Sequence, residues 1–237
     1  MKIYMIRHGQ TEWNESGRLQ GQTDIALNEN GRELAVKVGQ ALKGISFDRV
    51  ISSPLIRSVE TAQLVLAENE GKAGKMLRSG CKWKRREEQT RGGAGTDLVL
   101  ITDERIKEIG FGEYEGYSVP TTSMFCGDGR FAITDPEFHN FFDAPEKYQP
   151  PKGGESFYGL LERTGAFLEQ LAKEELTEKE TLLISTHGAA ARALLANIKH
   201  TQLKDFWYPG VPKNCSVSIA ESRDGSWQLL EQDLIYY

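Results

Sequence analysis

Short, continuous apolar runs alternate along this chain with stretches of helical periodicity. That alternation narrows the fold most, because it is the pattern of helices packed on a largely parallel sheet. The first run, Ile3 to Ile6, is too short for the apolar region of a signal peptide and has no small-residue cleavage site after it, so it reads as a buried strand. Asn28 is placed to cap a helix whose apolar side is Leu34, Ala35, Val38, Ala41 and Leu42. Arg49 to Ser52 reads as a second strand. Ser53-Pro54 then reads as an N-cap followed by proline at the first helical position, opening a helix through Val59, Ala62 and Leu66 with Arg57 in its first turn. Leu98 to Ile101 and Thr181 to Ser185 supply further strands, and the helix between them turns Leu160, Leu161, Thr164, Phe167, Leu168 and Leu171 inward. Ala189 to Ala196 is strongly helix-forming, and Val217 to Ile219 with Trp227 to Leu230, joined around Asp224-Gly225, reads as a terminal hairpin.

Residues 70 to 96 break this pattern, being rich in glycine and in basic residues such as Lys72, Lys84, Arg85 and Arg86. They read as a basic insertion, with a solvated loop as the plain interpretation and an electropositive lid as the functional one. The whole chain, 1–237, is expected to form a single domain. A formal charge of -5 argues against non-specific nucleic-acid binding, and Trp83 stands alone rather than in a stacking platform. With no apolar stretch long enough for a bilayer, a soluble protein and no membrane partner are expected. Cys81, Cys126 and Cys215 form no Cys-x-x-Cys pair, which points to free thiols in the cytoplasm, and no residue cluster has convincing metal-ligand spacing.

Two of the four histidines share one arrangement: an apolar strand, then a His-Gly step, then a loop or helix. His8 follows Ile3 to Ile6 through Arg7, and His187 follows Thr181 to Ser185 through Thr186. Parallel strands deliver their carboxyl ends to one edge of a sheet, where open α/β sheets bind ligands, so the two imidazoles are expected to converge. A single histidine in such a place is more often structural; the repetition gives the pair weight. His139 and His200 lack that context and read as structural or exposed. Arg7 and Arg57 have a plain reading as ion-pair partners. Yet Arg7 stands between a buried strand and His8, and Arg57 lies in a helix's first turn, which favours anions. Trp13 and Trp207 could shape a pocket, although aromatic residues more often pack in cores.

Arg7-His8-Gly9-Gln10-Thr11-Glu12-Trp13-Asn14 resembles the signature of the histidine phosphatase superfamily, which includes the cofactor-dependent phosphoglycerate mutases. Ser52-Ser53-Pro54-Leu55-x-Arg57-x-x-x-Thr61-Ala62, Lys107-Glu108 through Glu115-Gly116, Gly153-Gly154-Glu155-Ser156 and Ser185-Thr186-His187-Gly188 follow in that family's order. The resemblance implies a phosphoglycerate mutase-like fold, a three-layer α/β/α sandwich with a mostly parallel sheet. It also implies a phosphomonoesterase that needs neither metal nor cofactor and hydrolyses small phosphorylated metabolites through a phosphohistidine on His8, since a neutral imidazole can attack phosphorus without a strong base. In that scheme Arg7 and Arg57 hold the equatorial phosphate oxygens and His187 donates a further bond. Asn14 joins the substrate contacts, with Thr23 as a weaker candidate. Glu108 matches the acid: it would carry a proton for the leaving alkoxide and later take one from water. Glu104, Glu113 and Glu115 compete for that role, and all four have a solvated charged loop as their plain reading.

The stretch from Lys107 to Gly116 looks like the phosphatase branch, whereas the mutases carry an Asn-Glu-Arg-containing motif there. A mutase is therefore the second reading and a catalytically silent binding module the third, the latter opposed by the full set of chemical roles. A dinucleotide oxidoreductase is disfavoured because the first turn lacks Gly-x-Gly-x-x-Gly. The expected partner is a small phosphorylated substrate, with a homodimer left open.

Overall fold

The computed structural model describes residues 1–69, 98–118, 133, 135–174 and 180–237, and the backbone of 79–80. Apart from Ser79-Gly80, the basic insertion lies outside the described residues, as do Cys81 and Cys126. Strand β1 (Lys2–Arg7) is apolar on both faces because both are covered: Ile3 and Met5 enter one core cluster, Tyr4 and Ile6 the opposite one. A single turn, α1 (Glu12–Glu15), follows, closed by a capping box between Thr11 and Asn14. Helix α2 (Glu29–Ala41) starts where expected, with the Asn28 side chain accepting from Gly31 N at 2.9 Å. Its buried line runs through Ala35, Val38 and Leu42. Ala41, expected inside, is exposed because it lies about a third of a turn off that line.

Strand β2 (Arg49–Ser52) leads to α3 (Ile56–Asn69). The helix begins later than a proline at its first position would require. Asp24 accepts from Ile56 N at 2.7 Å and so closes the helix start, while the Ser53 hydroxyl accepts from Leu55 N at 3.4 Å and also meets His187 Nε2 at 2.7 Å. Strand β3 (Ser79–Gly80) pairs with β4 (Leu100–Thr102). Strand β4 starts at Leu100, opposite Val50, rather than at Leu98, because pairing with β2 begins only there. The short helix α4 (Asn140–Asp143) lies in an aromatic cluster with Phe111, Phe138, Tyr148, Phe157 and Phe206. Helix α5 (Phe157–Lys173) is capped by Ser156 and buries Leu160, Thr164, Phe167, Leu168 and Leu171, with Leu161 half-buried at the margin. Strand β5 (Thr181–Thr186) and helix α6 (Gly188–Lys199) follow. The hairpin of β6 (Val217–Arg223) and β7 (Ser226–Leu234) turns through Asp224 at φ 49° and Gly225 at φ 76°, left-handed conformations that favour this Asp-Gly pair.

The seven strands lie in the order β3-β4-β2-β5-β1-β6-β7, parallel except at the β1–β6 and β6–β7 pairings. Helices α2 and α3 bury their apolar sides on one face and α5 and α6 on the other, which makes three layers. Register sets the next step: Arg7 lies opposite Thr186 and Ser52 opposite Ser185, so His8, His187 and Ser53 leave three adjacent strands side by side. Among the described residues no helix is long and apolar enough to cross a membrane.

Candidate active site

The two strand-end histidines converge as expected, with ring centroids 5.1 Å apart and both rings buried. His8 Nδ1 lies 2.6 Å from the Gly9 carbonyl oxygen, which can only accept, so Nδ1 carries the hydrogen and Nε2 keeps the lone pair. Burial, and then the nearby Arg57 and Arg7 charges, hold the His8 pKa well below the usual 6.5 and keep the ring neutral. His187 is held neutral in the same way, first by burial and then by Arg57. Its Nε2 sits 2.7 Å from the Ser53 hydroxyl and 3.3 Å from that of Ser58. If Ser53 donates there, His187 Nδ1 is left as the ring's own donor.

Arg57 is fully buried at the start of α3, and its two terminal nitrogens donate to the carbonyls of Thr23 at 2.8 Å and Gly21 at 2.7 Å. Burial lowers its pKa to about 10, so it remains cationic at neutral pH. Gly21 is required in that anchor: φ is +51°, and a Cβ would lie 2.0 Å from the Glu115 carboxylate. Arg7 Nη1 donates to the Pro212 carbonyl. Among the described residues, Arg7 Nε, Arg57 Nε and His187 Nδ1 are all buried without a hydrogen-bond partner. Buried donors of this kind are costly unless something accepts from them.

Glu108 follows a short 3-10 turn (Glu104–Ile106) in an irregular segment, as expected of a loop. Its Oε1 accepts from Ile109 N at 2.9 Å and from Ala189 N and Ala190 N, both at 3.1 Å, while among the described residues Oε2 accepts only from Ala189 N, at 3.2 Å. The carboxyl is thus docked on the first backbone N–H groups of α6, which fix its orientation. A Cβ built on Gly188 would lie 3.5 Å from Glu108 Oε2 and 3.6 Å from Arg7 Nε, so both groups border one space. Its competitors are occupied or exposed: Glu104 pairs with Lys107 at 2.9 Å, Glu113 faces solvent, and Glu115 accepts from Gln22 N at 2.9 Å and Thr23 N at 2.8 Å. Asn14 Oδ1 is taken by Thr11 and, at 3.3 Å, by Asn214. Thr23 spends its hydroxyl on Glu115 and contributes its carbonyl to Arg57.

Several further residues support the site, one of which, Thr61, stands in the Ser52-to-Ala62 motif. Thr61 accepts from Gly9 N at 3.0 Å, Asn214 donates to the His8 carbonyl at 3.0 Å, and Cys215 N donates to the Arg7 carbonyl at 3.0 Å. The Cys215 thiol is buried, its pKa pushed up to about 12, which makes it an inert packing group. Trp207 donates to the Phe141 carbonyl at 2.6 Å inside the aromatic cluster, and Trp13 lies over Gly116. His139 and His200 are exposed.

Two buried neutral histidines give the fold a signed pH dependence. The unfolded chain binds protons at both as pH falls through about 6.5, whereas the folded chain does so only lower, so acid favours unfolding. The denaturant midpoint is expected to fall between about pH 7 and pH 5 and to be nearly level above 7, with a shallower slope in His187→Ala. A wild-type profile level throughout that window contradicts the assignment.

With the geometry in place, three comparisons bear on it. A family model described as "Histidine phosphatase superfamily (branch 1)" matches residues 3–76 and 84–234. The chain is 31% identical over 228 residues to "Metal-independent phosphoserine phosphatase" of Arabidopsis thaliana, covering 95% of this chain and 78% of that protein. It is 26% identical over 236 residues to "Probable phosphoglycerate mutase GpmB" of Erwinia tasmaniensis, covering 96% and 87%. Among solved structures, Bacillus stearothermophilus YhfR superposes with a TM-score of 0.76 at 28% identity, covering 98% of this chain and 96% of that one.

Proposed function

This chain belongs to the histidine phosphatase superfamily, and from that premise we propose that it is a phosphomonoesterase, independent of metal and cofactor, acting on small phosphorylated metabolites through a phosphohistidine on His8. The observation that carries the reading is the group of buried nitrogens without a protein partner on Arg7, Arg57 and His187, around a neutral His8 whose Nε2 is free to attack. A phosphoryl group supplies both the acceptors those donors lack and the electrophile the lone pair needs.

The sequence of steps follows from the donor set. Nε2 of His8 attacks phosphorus as the P–O ester bond breaks, and Arg7, Arg57 and His187 neutralise charge on the equatorial oxygens. The departing alkoxide takes a proton from Glu108. Oε2 is the oxygen to carry it, because Oε1 already accepts three N–H groups. The deprotonated carboxyl then takes a proton from water as the water oxygen attacks the phosphohistidine, releasing phosphate and returning His8 to its neutral form. Asn14 steadies a phosphate oxygen through its amide nitrogen, and Thr23 acts by aiming Arg57. The reading treats residues 1–237 as one domain, supported by β1 lying between β5 and β6. It assigns a cytoplasmic location, supported by the free thiol of Cys215.

A mutase, the second reading, is favoured by the similarity to GpmB. The deciding assay compares phosphate release from a panel of monoesters, phosphoserine and phosphoglycerate included, with interconversion of the two phosphoglycerates, in the presence and absence of chelator. Hydrolysis is expected to dominate and to be unchanged by chelation; efficient interconversion with negligible phosphate release sinks the phosphatase reading. Glu108→Gln is expected to lower kcat/KM on alkyl phosphates by about 100-fold or more and on p-nitrophenyl phosphate far less, since nitrophenolate leaves without a proton. Equal losses on both substrates remove Glu108 from the role of acid.

A further inference from the structure

Arg163, on the second turn of α5, uses all five of its N–H groups. Nε and Nη2 grip the Glu155 carboxylate at 2.6 and 2.8 Å. Nη1 donates to the carbonyls of Arg105 and Lys107, both at 2.7 Å, and Nη2 to that of Glu108 at 3.0 Å. Glu155 is tied to the same loop from the other side: its backbone N donates to the Gly110 carbonyl at 2.8 Å, and its Oε2 accepts from Gly110 N at 3.4 Å. Residues 107–110 belong to no helix or strand, so no regular ladder holds the Glu108 backbone in place. One planar guanidinium, itself pinned by a two-pronged carboxylate, stands where that ladder would be.

We propose that Arg163, held by Glu155, is the positioning residue for Glu108, fixing the carboxyl against the α6 N-terminus so that it meets the leaving oxygen. The proposal rests on Glu108 being the acid. Lysine at 163 keeps the charge but cannot span three carbonyls and a carboxylate at once, so it separates geometry from charge. A misplaced acid slows substrates that need a proton and spares those that do not, whereas general loosening of the fold slows both alike.

The test measures kcat/KM on an alkyl phosphate and on p-nitrophenyl phosphate for wild type, Arg163→Lys, Glu155→Gln, Glu108→Gln and the Arg163→Lys/Glu108→Gln double variant, with thermal midpoints and inorganic-phosphate inhibition alongside. Arg163→Lys is expected to lose on the order of 10- to 100-fold on the alkyl phosphate and only a few-fold on the nitrophenyl ester, with phosphate inhibition little changed. Glu155→Gln should show the same bias to a smaller degree. In the double variant the Arg163→Lys change should add no further bias, because the group it aims is gone. Equal losses on both substrates, or a bias that persists without Glu108, overturn the positioning role. If Glu108→Gln itself shows no bias, the fault lies in the assignment of the acid. A biased Glu108→Gln beside an unbiased Arg163→Lys refutes the clamp alone.

Discussion

Replacing His8 with alanine is expected to lower kcat by on the order of 10⁴-fold or more while leaving the fold intact. The size follows from the role: without Nε2 the phosphoryl group has no covalent acceptor, and the arginines can only stabilise a much slower direct attack by water. The fold should survive because His8 lies just past the end of β1 and, among the described residues, its ring makes one hydrogen bond, to the Gly9 carbonyl. Rapid acid-free quenching of wild type with labelled substrate should trap a phosphoryl adduct that is labile in acid and stable in base, as expected of phosphorus on nitrogen. Substantial turnover in His8→Ala, or an acid-stable adduct elsewhere on the chain, rules the mechanism out.

The second large effect is at Arg57. Arg57→Ala should cost on the order of 10³-fold in kcat/KM, because a fixed, desolvated cation is lost from the equatorial oxygens. Stability should fall by about 1–3 kcal/mol rather than more: the Gly21 and Thr23 carbonyls lose their donor, while Arg7 is relieved of a like-charged neighbour. Arg57→Lys should recover part of the stability and little of the rate, since an ammonium cannot bridge two carbonyls and a phosphate. Thermal shift with inorganic phosphate separates the effects. At 100 times its dissociation constant, phosphate should stabilise the wild type by about 2.7 kcal/mol and Arg57→Ala much less. An undiminished phosphate shift in Arg57→Ala would place the anion away from Arg57.

The central strands were legible because burial on both faces forces continuous apolar runs: β1, β2 and β5 were read nearly to the residue, and with them the convergence of His8 and His187. Local chemistry also spoke plainly at Asn28 and at Asp224-Gly225. What could not be read was whatever depends on a distant partner. Ser53-Pro54 has the form of a helix start, and the serine does accept from Leu55 N, yet the first helical N–H, on Ile56, goes to Asp24, and His187 meets the serine. Thr23 has a hydroxyl suited to phosphate, but it is spent on Glu115, 92 positions away. Arg163 and Asn214 look like ordinary polar residues on a helix and a loop; the carbonyls that Arg163 holds lie 55 to 58 positions off in the chain, and the His8 carbonyl that Asn214 holds lies 206 off.

The place of β1 in the sheet has a consequence for how the protein comes into being. Its neighbours are β5 and β6, so β1 has no permanent partner until residues 181–223 have been made. Pairing across such separations is slow and comes late. His8 waits with it: the groups that set its environment, from Ser53 and Arg57 through His187 to Asn214 and Cys215, are drawn from nearly the full length of the chain. A chain cut short of those residues would therefore hold His8 without the surroundings that the proposed chemistry needs, and these come together only as the sheet closes.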